Sequence, residues 1–326
     1  MAADPAAACY REFTYPLNRE LHRMLKKEIA EGAQALNFTG ERYVPEVAGD
    51  IELEHLHRYL LASTVVTGKT VLDIASGEGY GSAMLARVAQ QVTGVDISQE
   101  AVSHAQTKYR AANLEFRTGS CSAIPLADAS VDVVVSFETI EHHDEHEAMM
   151  REIKRVLRPG GALVISCPDK LEYTDKPGIV NPHHVKELYR DEFTRLLGAH
   201  FKNQRLYGQR IVYGSAILCE EGKTTLRSYE LADSALAPFC GVPYAVYLLA
   251  VASDADLPEL DSGVLDQPIK ETELVRSWTD RVAARDAQIA QLNRAIAEQK
   301  AAIGAIYASR SWRVTRPLRF LADLLR

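Results

Sequence analysis

What the chain lacks narrows the field first. Its 326 residues contain no unbroken apolar run of 18, so no transmembrane helix is expected. Cysteine is scarce: Cys9, Cys121, Cys167, Cys219 and Cys240 are scattered, with no C-x-x-C spacing. That pattern argues against a disulfide frame or a thiolate zinc site and fits reduced thiols in a cytoplasm. The opening MAADPAAACY has neither a basic stretch nor a long apolar one, so no secretory signal is expected. Positive charge is in deficit, 37 Lys and Arg against 44 Asp and Glu, and no basic stripe runs through residues 36–253. A nucleic-acid partner is therefore not expected. What remains, 47% hydrophobic and 25% charged, is the balance of a globular chain with a sizeable core.

Residues 1–35 read as an N-terminal helical segment, with Leu17, Leu21, Met24, Leu25 and Ile29 on one stripe of a helix over 10–32. A loop, NFTGERYVPE, and a helix through LEHLHRYLLASTVV follow. Strand-like runs then alternate with helical patterns: 70–75, 91–97, 114–119, 131–137 and 162–168, with two later candidates in QRLYGQRI and 244–253. The helix HEAMMREIKRVL stops at Arg158-Pro159-Gly160-Gly161. The pattern predicts an α/β fold over 36–253, a doubly wound, Rossmann-like, seven-stranded and mostly parallel sheet.

Residues 254–270 read as an acidic linker. Over 271–309, Val275, Trp278, Val282, Ile289, Leu292, Ile296, Ile303 and Ile306 fall on a/d positions, interrupted by Arg285 and Gln299. This predicts a C-terminal coiled coil and a homo-oligomer, with a single helix packed on its own domain as the competing reading. Residues 310–326 form a basic amphipathic tail, arginines interleaved with Trp312, Val314, Leu318, Phe320 and Leu321. Such a tail suits an anionic membrane surface or a partner protein.

VLDIASGEGYGS sets a G-x-G-x-G turn directly after a strand, with Asp73 four residues ahead of Gly77. Gly77, Gly79 and Gly81 let the backbone turn tightly and approach a ligand. The third glycine comes one residue too early for the dinucleotide motif. Asp96 closes the second strand, where a carboxylate can accept both hydroxyls of a ribose.

Asp73, the glycine triplet, Asp96 and REIKRVLRPGGALVISCP together resemble a class I S-adenosylmethionine-dependent methyltransferase over roughly residues 38–253. The resemblance implies S-adenosylmethionine as cofactor, held by Asp73, Ala75, Gly77, Gly79, Tyr80, Asp96, Ile97 and Glu138. Where that family has Gly-Asp-Ala after the third strand, this chain has Gly-Ser-Cys. Adenine contacts are therefore expected around Ser120 and Cys121. TGERYVPE and HLHRY resemble a cap over the cofactor, with Arg42 or Tyr59 touching it.

Between Glu138 and His146 stand three glutamates, three histidines and an aspartate. If a helical turn begins at Glu138, then Glu138, Glu141 and His142 share one face at i, i+3 and i+4. Two carboxylates and an imidazole suit a divalent metal. The same stretch also reads as a solvated helix start, and Asp144, Glu145 and His146 are assigned to that reading. His183 and His184 lie about 40 residues on, before another helix. E-x-x-E-H is similar to two metal-assisted O-methyltransferase groups, the ubiquinone-pathway catechol-type enzymes and the small-RNA 2′-O-methyltransferases. That similarity implies Glu138, Glu141, His142 and His184 as ligands, Mg²⁺ or Mn²⁺ foremost, with His183 as an alternative. His142, His184 and the leftover His143 are the catalytic candidates, His143 as a base.

The cap segments and SRSWRVTRPLR look like bacterial enzymes of surface-polysaccharide assembly. The expected function is methylation of a sugar hydroxyl at the non-reducing end of an O-antigen-type chain. The acceptor would be a glycan or a lipid-linked polysaccharide, met on the inner face of the cytoplasmic membrane. The alternatives are methylation of a soluble small molecule or nucleotide sugar, and a chain-length scaffold that holds a glycosyltransferase through the coiled coil.

Overall fold

The computed structural model describes residues 42–45, 49–214, 228–232, 235–239, 241–258, 260–269 and 272–324. The helix expected over 10–32 lies outside the described residues. The chain divides into two compact units, residues 1–265 and 266–326.

In the first unit the elements run α1 (Asp50–Val66), β1 (Thr70–Ile74), α2 (Tyr80–Leu85), β2 (Gln91–Asp96), α3 (Gln99–Lys108), β3 (Leu114–Thr118) and β4 (Val131–Phe137). They continue with α4 (His146–Val156), β5 (Leu157–Pro168), α5 (Arg190–His200), β6 (Asn203–Gln209), β7 (Ser228–Ala232), β8 (Ala235–Phe239) and β9 (Tyr247–Ser253). Seven strands form one sheet in the order β3-β2-β1-β4-β5-β9-β6. Its first five strands are parallel, and β9 runs antiparallel to both β5 and β6. The doubly wound, seven-stranded sheet expected from the sequence is the one observed.

Strand alternation sends neighbouring residues to opposite faces, and both faces are buried. Val71, Val133, Val135 and Val164 join Tyr59, Val66, Met84 and Leu85 in one core. Leu72, Ile74, Val134, Leu163 and Ile165 join Met149, Met150, Ile153, Phe193 and Leu197 in the other. The chain order reverses between β1 and β4, so a crevice opens at the carboxyl ends of these strands. Both motifs of interest lie there, one after β1 and one after β4.

Two expectations about the periphery are corrected. The strand β5 begins at Leu157 and takes in Arg158-Pro159-Gly160-Gly161, at a register irregularity opposite Val131 and Val133. The stretch 254–265 is not a free linker, because Leu260 is buried in the first core and Leu257 packs against it. The antiparallel pair β7–β8 has no counterpart among the strands expected from the sequence. Each run has five residues, and the Asp233-Ser234 connection is not a strong hairpin signal.

The second unit holds α6 (Glu273–Ala308), α7 (Arg310–Val314) and α8 (Arg316–Leu324). Thr272 caps α6, its hydroxyl accepting from the Val275 amide. The bend between α7 and α8 is held by Arg319, which lies 3.6 Å from the Trp312 ring centroid and donates to the Trp312 carbonyl. Pro317 sits in the first turn of α8, where its missing N–H costs nothing. The a/d residues from Trp278 to Ile306 are exposed along α6.

Candidate active site

The turn after β1 is built around positive φ angles at Ala75 (61°), Gly77 (56°) and Gly79 (100°). Its glycines have different roles. A Cβ on Gly77 would meet nothing within 4 Å, so this residue borders open space where a ligand can lie. A Cβ on Gly79 would come within 2.7 Å of Ala105, and one on Gly81 would overlap the Tyr59 ring. Gly81 is thus a packing glycine beneath α1, and not the ligand contact expected from the motif.

Asp96 ends β2 with one carboxylate oxygen accepting from Gly77 N and the other from Ser98 N, both at 2.8 Å. It ties the first turn to the second. Beside it Ile97 is 75% exposed, an apolar face at the crevice where a flat ring could stack. Ser120 and Cys121 follow β3, with the Ser120 hydroxyl bonded within its own turn to Ser122. Asp73 lies deeper: it accepts from Ser82 Oγ at 2.6 Å and from the Tyr59 hydroxyl at 3.2 Å. Burial pushes its carboxyl up to about 7. Tyr59 and Tyr80 are buried, and Tyr80 OH bonds His55 Nδ1, so both brace the turn from behind. Arg42 is half-buried at the start of the described cap, next to buried Tyr43.

One support of the turn is missing from the sequence-derived set. Glu78 is buried between the glycines, taking hydrogen bonds from Lys108 Nζ (2.6 Å) and Tyr109 OH (2.7 Å), with His104 Nε2 at 2.8 Å. The legible signal is an acid inside the glycine turn facing His104 and Lys108 on one edge of α3.

After β4 the chain does not start a helix at Glu138. That residue has φ 49°, and only a short 3-10 turn, Ile140–His142, follows. The left-handed corner sends the Glu138 carboxylate to Ser166 Oγ (2.6 Å) and to Arg58 Nη1 (3.3 Å). The group whose ligand atoms lie within 4.8 Å of one another is Glu141, His142 and His184. Three of the four expected ligands come together, and Glu138 stands outside the group for that conformational reason. His183 contributes its backbone, its carbonyl accepting from His142 Nδ1 at 3.0 Å.

Glu141 is buried, and neither of its oxygens has a hydrogen-bond partner among the described residues. Burial, reinforced by Glu138, pushes its carboxyl well above the ordinary range. An orphaned carboxylate is costly unless a cation or a proton meets it. His142 lies across from it, Nε2 to Oε1 at 4.0 Å. His184 stands at right angles to His142, ring centroids 5.2 Å apart, and its Nδ1 is 2.6 Å from Glu187 Oε1. One carboxylate and two imidazoles are a donor set that fits a divalent transition metal.

His143 is placed elsewhere. Its Nε2 lies 3.4 Å from Cys121 Sγ and 3.3 Å from Met149 Sδ, and burial lowers its pKa. It faces Cys121, on the expected adenine side, and is not a member of the Glu141 group. Asp144 and Glu145 are exposed as expected. His146 is buried at the start of α4, its Nε2 bonded to the His143 carbonyl, so the solvated reading fails for that one residue.

Residues 72–165 match the family model described as a methyltransferase domain. A protein of Mycolicibacterium smegmatis named "Probable S-adenosylmethionine-dependent methyltransferase" is 38% identical over 50% of this chain and 64% of its own length. A Mycobacterium tuberculosis protein of the same description is 40% identical over 50% of this chain and 60% of its own. The chain thus spans less than two thirds of these curated relatives. A fatty-acid O-methyltransferase of M. smegmatis is 30% identical over 39% of this chain and 49% of its own length.

Proposed function

We propose, from the premise that this chain carries a class I S-adenosylmethionine-dependent methyltransferase domain, that it is a metal-assisted O-methyltransferase. Its acceptor in this reading is a sugar hydroxyl with a neighbouring oxygen, at the non-reducing end of a bacterial surface glycan. The observation that carries the proposal is the buried, unsatisfied Glu141 carboxylate beside His142 and His184.

The residues divide the work. Gly77 leaves room for the donor, Asp96 is positioned for its ribose, and Ile97 offers a face to its adenine. The donor's sulfonium is already electrophilic, so the protein must chiefly align it and present a nucleophile. An alkyl hydroxyl is a poor one at neutral pH. A divalent ion held by Glu141, His142 and His184 would supply Lewis acidity that lowers the hydroxyl pKa. Glu138, kept on Arg58 and Ser166, shapes the wall between the two sites.

The exposed a/d stripe of α6 supports self-association, and the arginines of 310–319 support contact with an anionic membrane surface or a glycosyltransferase. Both suit a lipid-linked acceptor. A second reading, an apolar acceptor, is favoured by exposed Ile179, Val180 and Val185 in the segment that carries His184. One relative's name, fatty-acid O-methyltransferase, points the same way.

The test is transfer of labelled methyl groups to an oligosaccharide and to a fatty acid. The wild-type chain should label the sugar, and Glu141→Gln should lose about a hundredfold or more. Labelling of the fatty acid alone would refute the sugar acceptor, and full activity in Glu141→Gln would refute the assisted chemistry.

A further inference from the structure

Glu187 belongs to none of the sequence-derived sets, yet it sits directly behind one of the grouped imidazoles. It precedes Leu188, which is buried in the second core. Its side chain is 7% exposed, and its Oε1 takes a hydrogen bond from Thr174 Oγ1 at 2.8 Å as well as contacting His184 Nδ1 at 2.6 Å. The imidazole is further held by Tyr173, stacked on it at 5.3 Å between centroids. Asn181 Nδ2 lies 3.0 Å from its other nitrogen, Nε2.

A carboxylate against Nδ1 requires the proton there. The tautomer is then fixed, and Nε2 carries the lone pair. His142 is arranged the same way by a different group, since its Nδ1–H donates to the His183 carbonyl. Both imidazoles therefore keep Nε2 as the basic nitrogen, and that of His184 accepts from Asn181 Nδ2, a bond that an ion at this atom would displace. The Nε2 of His142 lies 4.0 Å from Glu141 Oε1. A charged acceptor behind an imidazole also raises its basicity as a ligand, and such partners fix ring orientation. A solvated surface pair would need none of this: Glu187 is nearly inaccessible, and Thr174 and Tyr173 hold the pair in place.

We infer that Glu187 is a positioning residue for the metal centre, fixing the tautomer and orientation of His184. This rests on the proposed metal site and names a residue outside its ligand set. Because a glutamine at this position would keep a neutral acceptor and an alanine would keep none, the two variants should be graded.

The test is Mn²⁺ titration of the full-length chain followed by calorimetry, with S-adenosylmethionine titrated separately into the metal-free protein. Glu187→Ala should weaken Mn²⁺ binding by about 10–100-fold, and Glu187→Gln by less. Cofactor affinity and the metal-free Tm should stay at wild-type values in Glu187→Gln. Thr174→Val, which removes one support of the pair but keeps the dyad, should weaken Mn²⁺ binding less than Glu187→Ala does. Wild-type Mn²⁺ affinity in Glu187→Ala would overturn the assignment. So would parallel losses of Tm and cofactor affinity in Glu187→Gln, which mark a purely structural role. Failure of the wild-type chain itself to bind Mn²⁺ would overturn the metal site, and this assignment with it.

Discussion

Single residues in the glycine turn separate binding from stability. Gly77→Ala puts a Cβ into open space at φ 56°, so the cost is backbone strain of about 1–2 kcal/mol together with obstruction of the cofactor. Gly81→Ala has no adverse φ but overlaps Tyr59, a packing fault of about 1–3 kcal/mol. Cofactor titration and thermal unfolding of the two variants should therefore give opposite rankings: Gly77→Ala worse in affinity, and Gly81→Ala binding nearly normally once folded. Glu54 gives a pH-dependent case. Burial raises its carboxyl from 4.5 to about 7, against the pull of Arg58. Between those values the folded chain retains a proton that the unfolded chain has released, so this contribution to stability falls as pH rises through the window. Glu54→Gln should stabilise the chain relative to wild type at pH 8 by up to about 3 kcal/mol more than at pH 4, as read by urea unfolding. At this scale the glycines were legible from their spacing, but their separate roles were not. Which glycine borders a ligand and which borders a tyrosine depends on α1, a helix that precedes the turn by a whole strand.

At the scale of elements, five of the seven sheet strands were legible to within two residues, because Val- and Leu-rich runs buried on both faces leave little latitude, whereas β5 starts five residues earlier and β9 three residues later than expected. The turn after β4 was legible in content and misread in shape. An i, i+3, i+4 argument assumes helix from the first residue, and the left-handed φ at Glu138 breaks it. The corner is set by what Glu138 can reach, Ser166 on β5 and Arg58 on α1, partners that spacing does not reveal. His184 was found through the resemblance to the metal-assisted O-methyltransferases, which implied it as a ligand. Glu187, a common exposed residue in sequence terms, carried no signal of its own. The helix α6 makes the sharpest prediction here. It is 36 residues long, about 54 Å, with its a/d residues about half exposed. Burying that stripe against a second copy is the proposed remedy, so Ile289→Asp with Leu292→Asp should convert an oligomer to a monomer in sedimentation analysis. A wild-type chain that sediments as a monomer would count against self-association.

For the whole molecule, the doubly wound sheet and the two motifs at its switch point agree on one crevice. Among the described residues no helix is long and apolar enough to cross a membrane. The fold was read from alternation, and the cofactor class from the family resemblance carried jointly by Asp73, the glycine triplet, Asp96 and REIKRVLRPGGALVISCP. The acceptor has no comparable signature, because acceptor contacts come from loops whose side chains follow no period. The central claim is that Glu141, His142 and His184 share one divalent ion that the reaction uses. The most direct measurement is anomalous diffraction from Mn²⁺-loaded crystals, paired with methyl transfer before chelation, after it, and after Mn²⁺ is restored. The account predicts a single strong peak within bonding distance of all three side chains, with activity lost on chelation and regained with the metal. Full activity in chelator, with no peak between Glu141 and His184, would contradict it.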